Sequence, residues 1–133
     1  MPNKKEKVLI ERELKSNSAV IIWKLISTDS GLSRWVADNV RFDGDMLEFT
    51  WGDIQSRHET KRATLLGRKS QKYLRWRWEG DDERCFTELK MEKSDLTNDY
   101  ILTVTDFAEP DETDALRDIW EDSFDRLRQN SGL

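Results

Sequence analysis

Histidine and cysteine, two side chains that catalysis and zinc binding often use, are scarce in this chain. His58 is the only histidine and Cys85 the only cysteine among the 133 residues. Zinc sites are built from several such ligands, so these two provide no zinc constellation. A Cys–His nucleophile would need the two side chains to meet, and nothing in the sequence brings them together. Phosphate-loop and nucleophile-elbow motifs are also missing. The sequence therefore predicts a protein that is not an enzyme, with no catalytic residue, no metal and no cofactor.

One acidic residue differs from the others in its predicted position. Most of the acids fall in turns or on the polar side of the last predicted helix. Asp106 instead shares the strand parity of Leu102 and Val104, so we expect its side chain to point inward. A carboxylate placed there can accept backbone N–H groups where the last strand leads into the helix. We predict this structural role for Asp106, near the mouth of any interior cavity.

Large aromatic residues are the second feature with chemical potential. The chain has six tryptophans, and four of them fall on the apolar positions of predicted strands or of the last helix. These positions leave two interpretations open, a solid core or the walls of a ligand cavity, because indole rings suit both. The residues predicted to line such a cavity are Trp35, Phe49, Trp51, Trp76, Trp78, Leu89, Trp120 and Phe124.

Charge is spread unevenly along the chain. The net charge is −5, which argues against nucleic-acid binding because that function needs a basic surface. Residues 54–78 contain eight basic residues, whereas residues 106–125 contain nine acidic ones. Two interpretations are open: solvated faces that attract each other, or a binding face for a charged partner. Under the second, Arg75 and Arg77 lie in solvent, on the strand face opposite Trp76 and Trp78.

The sequence also favours a cytoplasmic protein without membrane association. No apolar run approaches the roughly 20 residues that span a bilayer. The apolar stretch near the N-terminus is too short for a signal-peptide core, and a lone cysteine cannot form an internal disulfide. We therefore expect a reducing cytoplasmic environment.

Hydrophobic periodicity predicts one α+β domain over residues 1–133, in the order strand, two short helices, six antiparallel strands and one long helix. The second short helix contains Leu32, Trp35 and Val36 at helical spacing, and Gly31 loosens its entry. A turn is predicted at residues 67–70. The predicted strands cover residues 5–14, 40–42, 46–51, 55–66, 73–79, 84–93 and 100–107, and the first helix starts near residue 19.

The last helix is predicted over residues 112–129, with Asp111 as its N-cap. Arg117–Glu121 and Asp122–Arg126 are possible i, i+4 pairs on its polar side. Its apolar stripe contains Leu116, Ile119, Trp120, Phe124 and Leu127. An antiparallel sheet needs one covered face, and only this helix is long enough to cover it. We therefore expect a curved sheet wrapped around the long C-terminal helix.

This order of elements resembles the helix-grip architecture of the START-like (SRPBCC) superfamily. Four stretches carry the resemblance: the double-helix segment at 18–38, FTWG at 49–52, LRWRWE at 74–79 and VTDFAE at 104–109. The chain looks most similar to a compact bacterial branch, related to the C-terminal domain of the activator of the 90-kDa heat-shock chaperone ATPase. The resemblance implies a non-catalytic domain with a cavity between sheet and helix that can hold an apolar ligand.

We therefore expect non-catalytic binding of a small, largely apolar ligand in the sheet–helix cavity. Two alternatives stay open at this stage, since fold does not settle function. One is a protein-interaction module, either a homodimer or a chaperone-associated domain. The other is an enzyme of unknown reaction. The size of the cavity discriminates ligand binding from the interaction module.

Overall fold

The structure is a computed structural model, and it describes residues 4–53 and 55–133. The predicted order of one strand, two helices, six strands and one helix is confirmed. The elements are β1 (Glu6–Glu13), α1 (Ala19–Ser27), α2 (Asp29–Leu32), β2 (Asn39–Asp43), β3 (Met46–Gly52), β4 (His58–Lys69), β5 (Tyr73–Trp78), β6 (Thr87–Lys93), β7 (Tyr100–Ala108) and α3 (Thr113–Ser131).

All seven strands form one curved antiparallel sheet. Their order is β1-β7-β6-β5-β4-β3-β2, so only the N-terminal strand is out of sequence, paired beside β7. Side chains alternate between the two faces, and the residues of one face are buried, as in Val8 and Ile10 of β1. We call this buried side, which α3 covers, the inner face of the sheet. The architecture is the helix-grip α+β fold expected from the sequence.

Helix α3 packs on the inner face through Trp120, Phe124 and Leu127, which are all buried. Ile119, on the edge of the predicted apolar stripe, is 59% exposed. The predicted cap at Asp111 is wrong, because the helix starts at Thr113, one residue later than predicted, with Glu112 at its N-cap and no side-chain capping bond. The helix continues to Ser131, two residues beyond its predicted end, and Gly132 is its C-cap, with its N–H bonded to the Arg128 carbonyl.

Charged residues of α3 bond to other elements rather than along the helix. Arg117 donates to the carbonyl of Leu9 in β1 at 3.0 Å, and Arg12 of β1 pairs with Glu121. The predicted i, i+4 pairs are therefore replaced by bonds between elements, which hold the helix in position across the sheet. Exposed pairs contribute little energy each, so their main effect is orientation.

The two short helices form one end of the domain. Helix α1 starts at Ala19, as predicted, and Ser18 caps it, its hydroxyl accepting the N–H of Ile21 at 3.3 Å. Helix α2 is only one turn long, so the predicted helical stretch through Trp35 is too long. Trp35 instead follows it in a turn and is fully buried, with its indole N–H donating to the carbonyl of Leu25 at 2.8 Å.

The predicted turn at residues 67–70 is also wrong in position. Strand β4 continues through Gly67 to Lys69, with a register shift between Leu65 and Gly67, and the chain turns only at residues 70–72. A β-bulge accommodates a glycine inside a strand, which explains why the glycine did not end it. Strand β6 starts at Thr87, three residues later than predicted.

The basic and acidic segments are not joined to each other. Among the described residues no ion pair links residues 54–78 to residues 106–125. Arg75 instead pairs with Glu88 of β6, with its Nε 2.8 Å from Oε2. Arg77 donates to the carbonyls of Cys85 and Glu83. Both arginines lie on the outer face, as predicted, but they are half-buried and hold the sheet and the following turn together.

Candidate functional site

A pocket of about 330 Å³ opens between α3 and one end of the inner face. Its walls come from the sheet, from the helix and from the segment that follows α2. The lining residues are Val36, Trp51, Glu59, Lys61, Trp78, Asp106, Leu116, Ile119, Trp120 and Ser123. The wall is therefore mainly apolar, with a few polar groups, as in most small-molecule sites.

The sheet side of the pocket is formed by Trp51 and Trp78. Each occupies the last or second-last position of its strand, on the parity that faces inward. Trp76, two residues earlier on the same parity as Trp78, is fully buried. The centroids of the Trp51 and Trp78 rings are 6.1 Å apart, and the Trp51 indole N–H donates to the carbonyl of Val36 at 3.1 Å. That bond fixes the orientation of the Trp51 ring.

The helix side is formed by Trp120 and Ile119. Trp120 is 5% exposed, and its indole N–H donates to Oδ2 of Asp106 at 2.9 Å. This bond joins α3 to β7 at the pocket wall. Ile119 stands beside it at the solvent edge, so the apolar lining continues from the interior to the rim.

Asp106 is the buried ionisable group of the site. Its Oδ1 accepts the Thr87 hydroxyl at 2.9 Å and the Phe107 N–H at 2.8 Å, in addition to the Trp120 bond on Oδ2. The predicted role as a backbone N–H acceptor is confirmed by the bond from Phe107. Burial raises the pKa of this carboxyl, and the three donors act in the opposite direction. All three partners donate, which is the pattern that suits the ionised carboxylate.

Three of the eight residues predicted to line a cavity are in this pocket: Trp51, Trp78 and Trp120. The structure places the other five in the fully buried core, namely Trp35, Phe49, Trp76, Leu89 and Phe124. Core and pocket are continuous. The Phe49 ring lies 4.9 Å from that of Trp78, and the Trp35 ring lies 6.0 Å from that of Trp120, between centroids.

Sequence reasoning missed two charged residues of the pocket, Glu59 and Lys61 on β4. They pair in register with Trp51 and Phe49, so their side chains point to the inner face. The signal was the alternation that places both on the parity of the buried Ala63. Because both side chains are charged, this end of β4 has the composition of a solvent-exposed strand.

The chemistry-bearing residues considered first lie outside the pocket. His58 is exposed, with its Nδ1 3.3 Å from the carbonyl of Ser56. Cys85 is buried in the connection between β5 and β6, where burial raises the pKa of its thiol. Within residues 4–53 and 55–133, no group of three His, Cys, Asp or Glu side chains is placed to hold a metal ion. None of the helices described is both long and apolar enough to cross a bilayer.

The environment of Asp106 leads to a prediction about its titration. We expect the midpoint for this carboxyl to lie above 3.8, because its burial disfavours the charged form. The folded state then holds this proton more tightly than the unfolded state. The contribution of Asp106 to stability therefore falls as pH rises from about 3.8 through the folded pKa. Carboxyl ¹³C shifts in an NMR titration measure the midpoint directly.

Asp82 provides the control in the same spectra. It is exposed, and the N–H of Arg84 bonded to its side chain lowers its pKa below 3.8. As the pH rises, the carboxyl of Asp82 should therefore ionise before that of Asp106. A midpoint for Asp106 at or below that of Asp82 would show that the three donors outweigh burial.

Comparisons with known proteins agree with this architecture. A family model described as "START-like superfamily domain" matches residues 1–132. The solution structure of BfR322 from Bacteroides fragilis is 36% identical, covers 95% of this chain and 90% of that one, and has a TM-score of 0.62. A comparison with curated proteins gives no significant match.

Two further structures are similar in fold. The Aha1 dimer from Colwellia psychrerythraea is 14% identical, with a TM-score of 0.70 over 96% of this chain and 98% of that one. The AHSA1-like protein from Aeromonas hydrophila is 15% identical, with a TM-score of 0.72 over 94% of this chain and 91% of that one. Both carry names of the Aha1-like branch that the sequence resembled, and at these identities the likeness shows the shared fold alone.

Proposed function

The chain belongs to the START-like superfamily, and from this premise we propose that it binds a small, largely apolar ligand without transforming it. The observation that carries the proposal is the pocket of about 330 Å³ beside α3, with indole rings on both its sheet side and its helix side. Small-molecule sites typically have volumes of about 300–1,000 Å³. The pocket is therefore large enough for a ligand of one or two fused rings.

The pocket can hold such a ligand through burial of apolar surface. Trp51 and Trp78 offer rigid ring faces, and Leu116 and Ile119 extend the apolar wall along α3. Rigid walls cost little conformational entropy when a ligand is ordered against them. The few polar groups, Ser123 among them, can orient a single polar substituent.

The proposal that no reaction occurs is supported by the chemistry of the lining. The ionisable lining residues are Glu59, Lys61 and Asp106. Asp106 accepts three hydrogen bonds, which restricts its use as a general base. Neither His58 nor Cys85 lines the pocket, and a thiol with a raised pKa is a weak nucleophile at neutral pH.

Ile119 allows a test that does not disturb the fold. We expect Ile119→Ser to weaken binding of a neutral aromatic probe, 2-naphthylmethanol, about three- to tenfold, because it removes apolar contact at the pocket edge. Isothermal titration calorimetry with the wild type should give a stoichiometry near one and a Kd of roughly micromolar order, about −8 kcal/mol. Ile119 is 59% exposed, so stability should change little.

Val20→Ser is the matched control. Val20 is also a β-branched helical residue, 54% exposed, but it lies on α1 outside the pocket. The control should bind 2-naphthylmethanol like the wild type. Equal affinity in all three proteins would place the probe elsewhere, and absence of saturable binding to the wild type would contradict the proposed function.

A homodimer is the second candidate function. Val20 and Ile21 are adjacent on α1 and each is more than half exposed, which is unusual for two large apolar side chains side by side. One structure similar in fold is that of an Aha1 dimer. The sedimentation coefficient of the purified chain decides this question.

A chaperone partner and a cytoplasmic location stay predictions from the sequence.

A further inference from the structure

We infer that the ligand of this pocket carries a positively charged nitrogen: it is an organic ammonium ion with an apolar, preferably aromatic, body. This inference rests on the proposed function and deepens it by naming the ligand class. It follows from the charges and ring faces that line the pocket.

Asp106 is a hydrogen-bond acceptor at the pocket wall with capacity left. A carboxylate offers about four acceptor positions. Three are used, two on Oδ1 and one on Oδ2. In the described part of the chain no Lys or Arg forms an ion pair with Asp106. A ligand N⁺–H that reaches Asp106 can therefore donate to the remaining position on Oδ2, and its positive charge favours the ionised form of this carboxyl.

The ring faces favour the same ligand. Trp51, Trp78 and Trp120 all line the pocket, and indole is the side chain that attracts cations most strongly through its ring face. That attraction strengthens as water is excluded, and Trp120 is almost completely buried. A ligand with an ammonium group and an aromatic body can use both properties of these walls.

Lys61 already makes the two interactions that a ligand ammonium group would make. Its ammonium group lies 5.7 Å from the centroid of the Trp78 ring and 4.0 Å from Oε1 of Glu59. It therefore already contacts one indole face and one carboxylate, the two partners that a ligand ammonium would use. Its side chain is 56% exposed, so it can move aside at small cost.

The balance of charge argues against an anionic ligand. The lining holds two carboxylates, Glu59 and Asp106, against one cation, Lys61. A ligand carboxylate would be attracted by Lys61 alone and repelled by both acids. Burying a charge without a partner is costly, so the pocket should discriminate against anions.

Three probes with one shared ring system test the inference by calorimetry at pH 7. They are 2-naphthylmethylamine, which is cationic at this pH, 2-naphthylmethanol, which is neutral, and 2-naphthoate, which is anionic. We expect the amine to bind at least about tenfold more tightly than the alcohol, as hydrogen bonds to charged groups usually allow. The naphthoate should bind most weakly.

Two exposed variants separate the contributions without risk to the fold. Lys61→Met removes the competing cation, so it should raise the affinity for the amine relative to that for the alcohol about threefold. Glu59→Gln, at a side chain that is 67% exposed, should lower the affinity for the amine relative to that for the alcohol. Asp106→Asn should abolish most of the preference for the amine, provided that the alcohol still binds and so reports an intact pocket.

Each possible result has a distinct meaning. Equal affinity for the amine and the alcohol would overturn the ammonium inference and leave the proposed function standing. Tightest binding of naphthoate, weakened by Lys61→Met, would overturn it in favour of an anionic ligand. If none of the three probes binds, both the inference and the proposed function are wrong.

Discussion

Replacing Trp120 by alanine is expected to lower the free energy of unfolding by about 3–5 kcal/mol, the usual range for removing a buried aromatic side chain. Trp120 is 5% exposed in the middle of α3 and packs on Trp35, 6.0 Å away between ring centroids. Its loss also removes one donor from the buried carboxylate of Asp106. Domains of this size have only about 5–15 kcal/mol of stability in total, so the effect is large.

Urea denaturation measures this change as a lower midpoint with a similar slope. Ile119→Ala is the control on the same helix, at a side chain that is 59% exposed, and it should change stability by less than about 0.5 kcal/mol. A Trp120→Ala midpoint no lower than that of Ile119→Ala would mean that α3 does not dock through Trp120.

Gly31→Ala is expected to destabilise the domain by at least about 3 kcal/mol, the upper end of the range for overpacking. A Cβ atom at Gly31 would lie 2.0 Å from the carbonyl oxygen of Lys24 and 2.7 Å from the Cα of Leu25. Both are backbone atoms of α1, so no side-chain rotation can relieve the clash. The two short helices would have to move apart, which disturbs the buried Leu32 next to Gly31.

Gly44→Ala is the matched control for this substitution. Gly44 has a φ of +61° in the turn between β2 and β3, and a Cβ atom there would meet nothing within 4 Å. The control carries only the conformational cost of a left-handed alanine, about 1–2 kcal/mol. Thermal or urea unfolding of both variants gives the comparison, and equal destabilisation would show that α1 and α2 are not packed this closely.

The two glycines also show what local patterns can and cannot predict. Gly44 lies between the strands predicted at residues 40–42 and 46–51, and the structure pairs these strands as a hairpin whose two-residue turn uses the backbone freedom of this glycine. Gly31 was expected to loosen the entry to a helix. Its role is close approach, which depends on how α1 and α2 cross, and a single sequence does not record that angle.

Parity along strands predicted which side chains face inward but not how deep they lie. Trp76 and Trp78 share the inner face of β5, as expected. Only Trp78 reaches the pocket, whereas Trp76 is fully buried. The position of α3 along the sheet is fixed by bonds such as that from Arg117 to Leu9, which span 108 residues. Sequence spacing does not predict contacts between residues so far apart in the chain.

The environment of Asp106 could be predicted only in part, because some of its hydrogen-bond partners are distant in the sequence. Its inward direction and its backbone partner Phe107 follow from local strand geometry. Its bonds to Thr87 and Trp120 require the register of β6 on β7 and the rotation of α3 about its own axis. The residue at the centre of the ammonium inference could therefore be identified from sequence, but its partners could not.

The most direct test of the proposed pocket is a ¹H–¹⁵N NMR titration of the indole N–H signals with 2-naphthylmethanol. All six tryptophans report separately, and they differ in position: Trp51, Trp78 and Trp120 line the pocket, whereas Trp23 belongs to α1. We expect saturable shifts with one common Kd at the three pocket indoles and no shift at Trp23. Unchanged pocket signals, or a largest shift at Trp23, would contradict ligand binding between the sheet and α3.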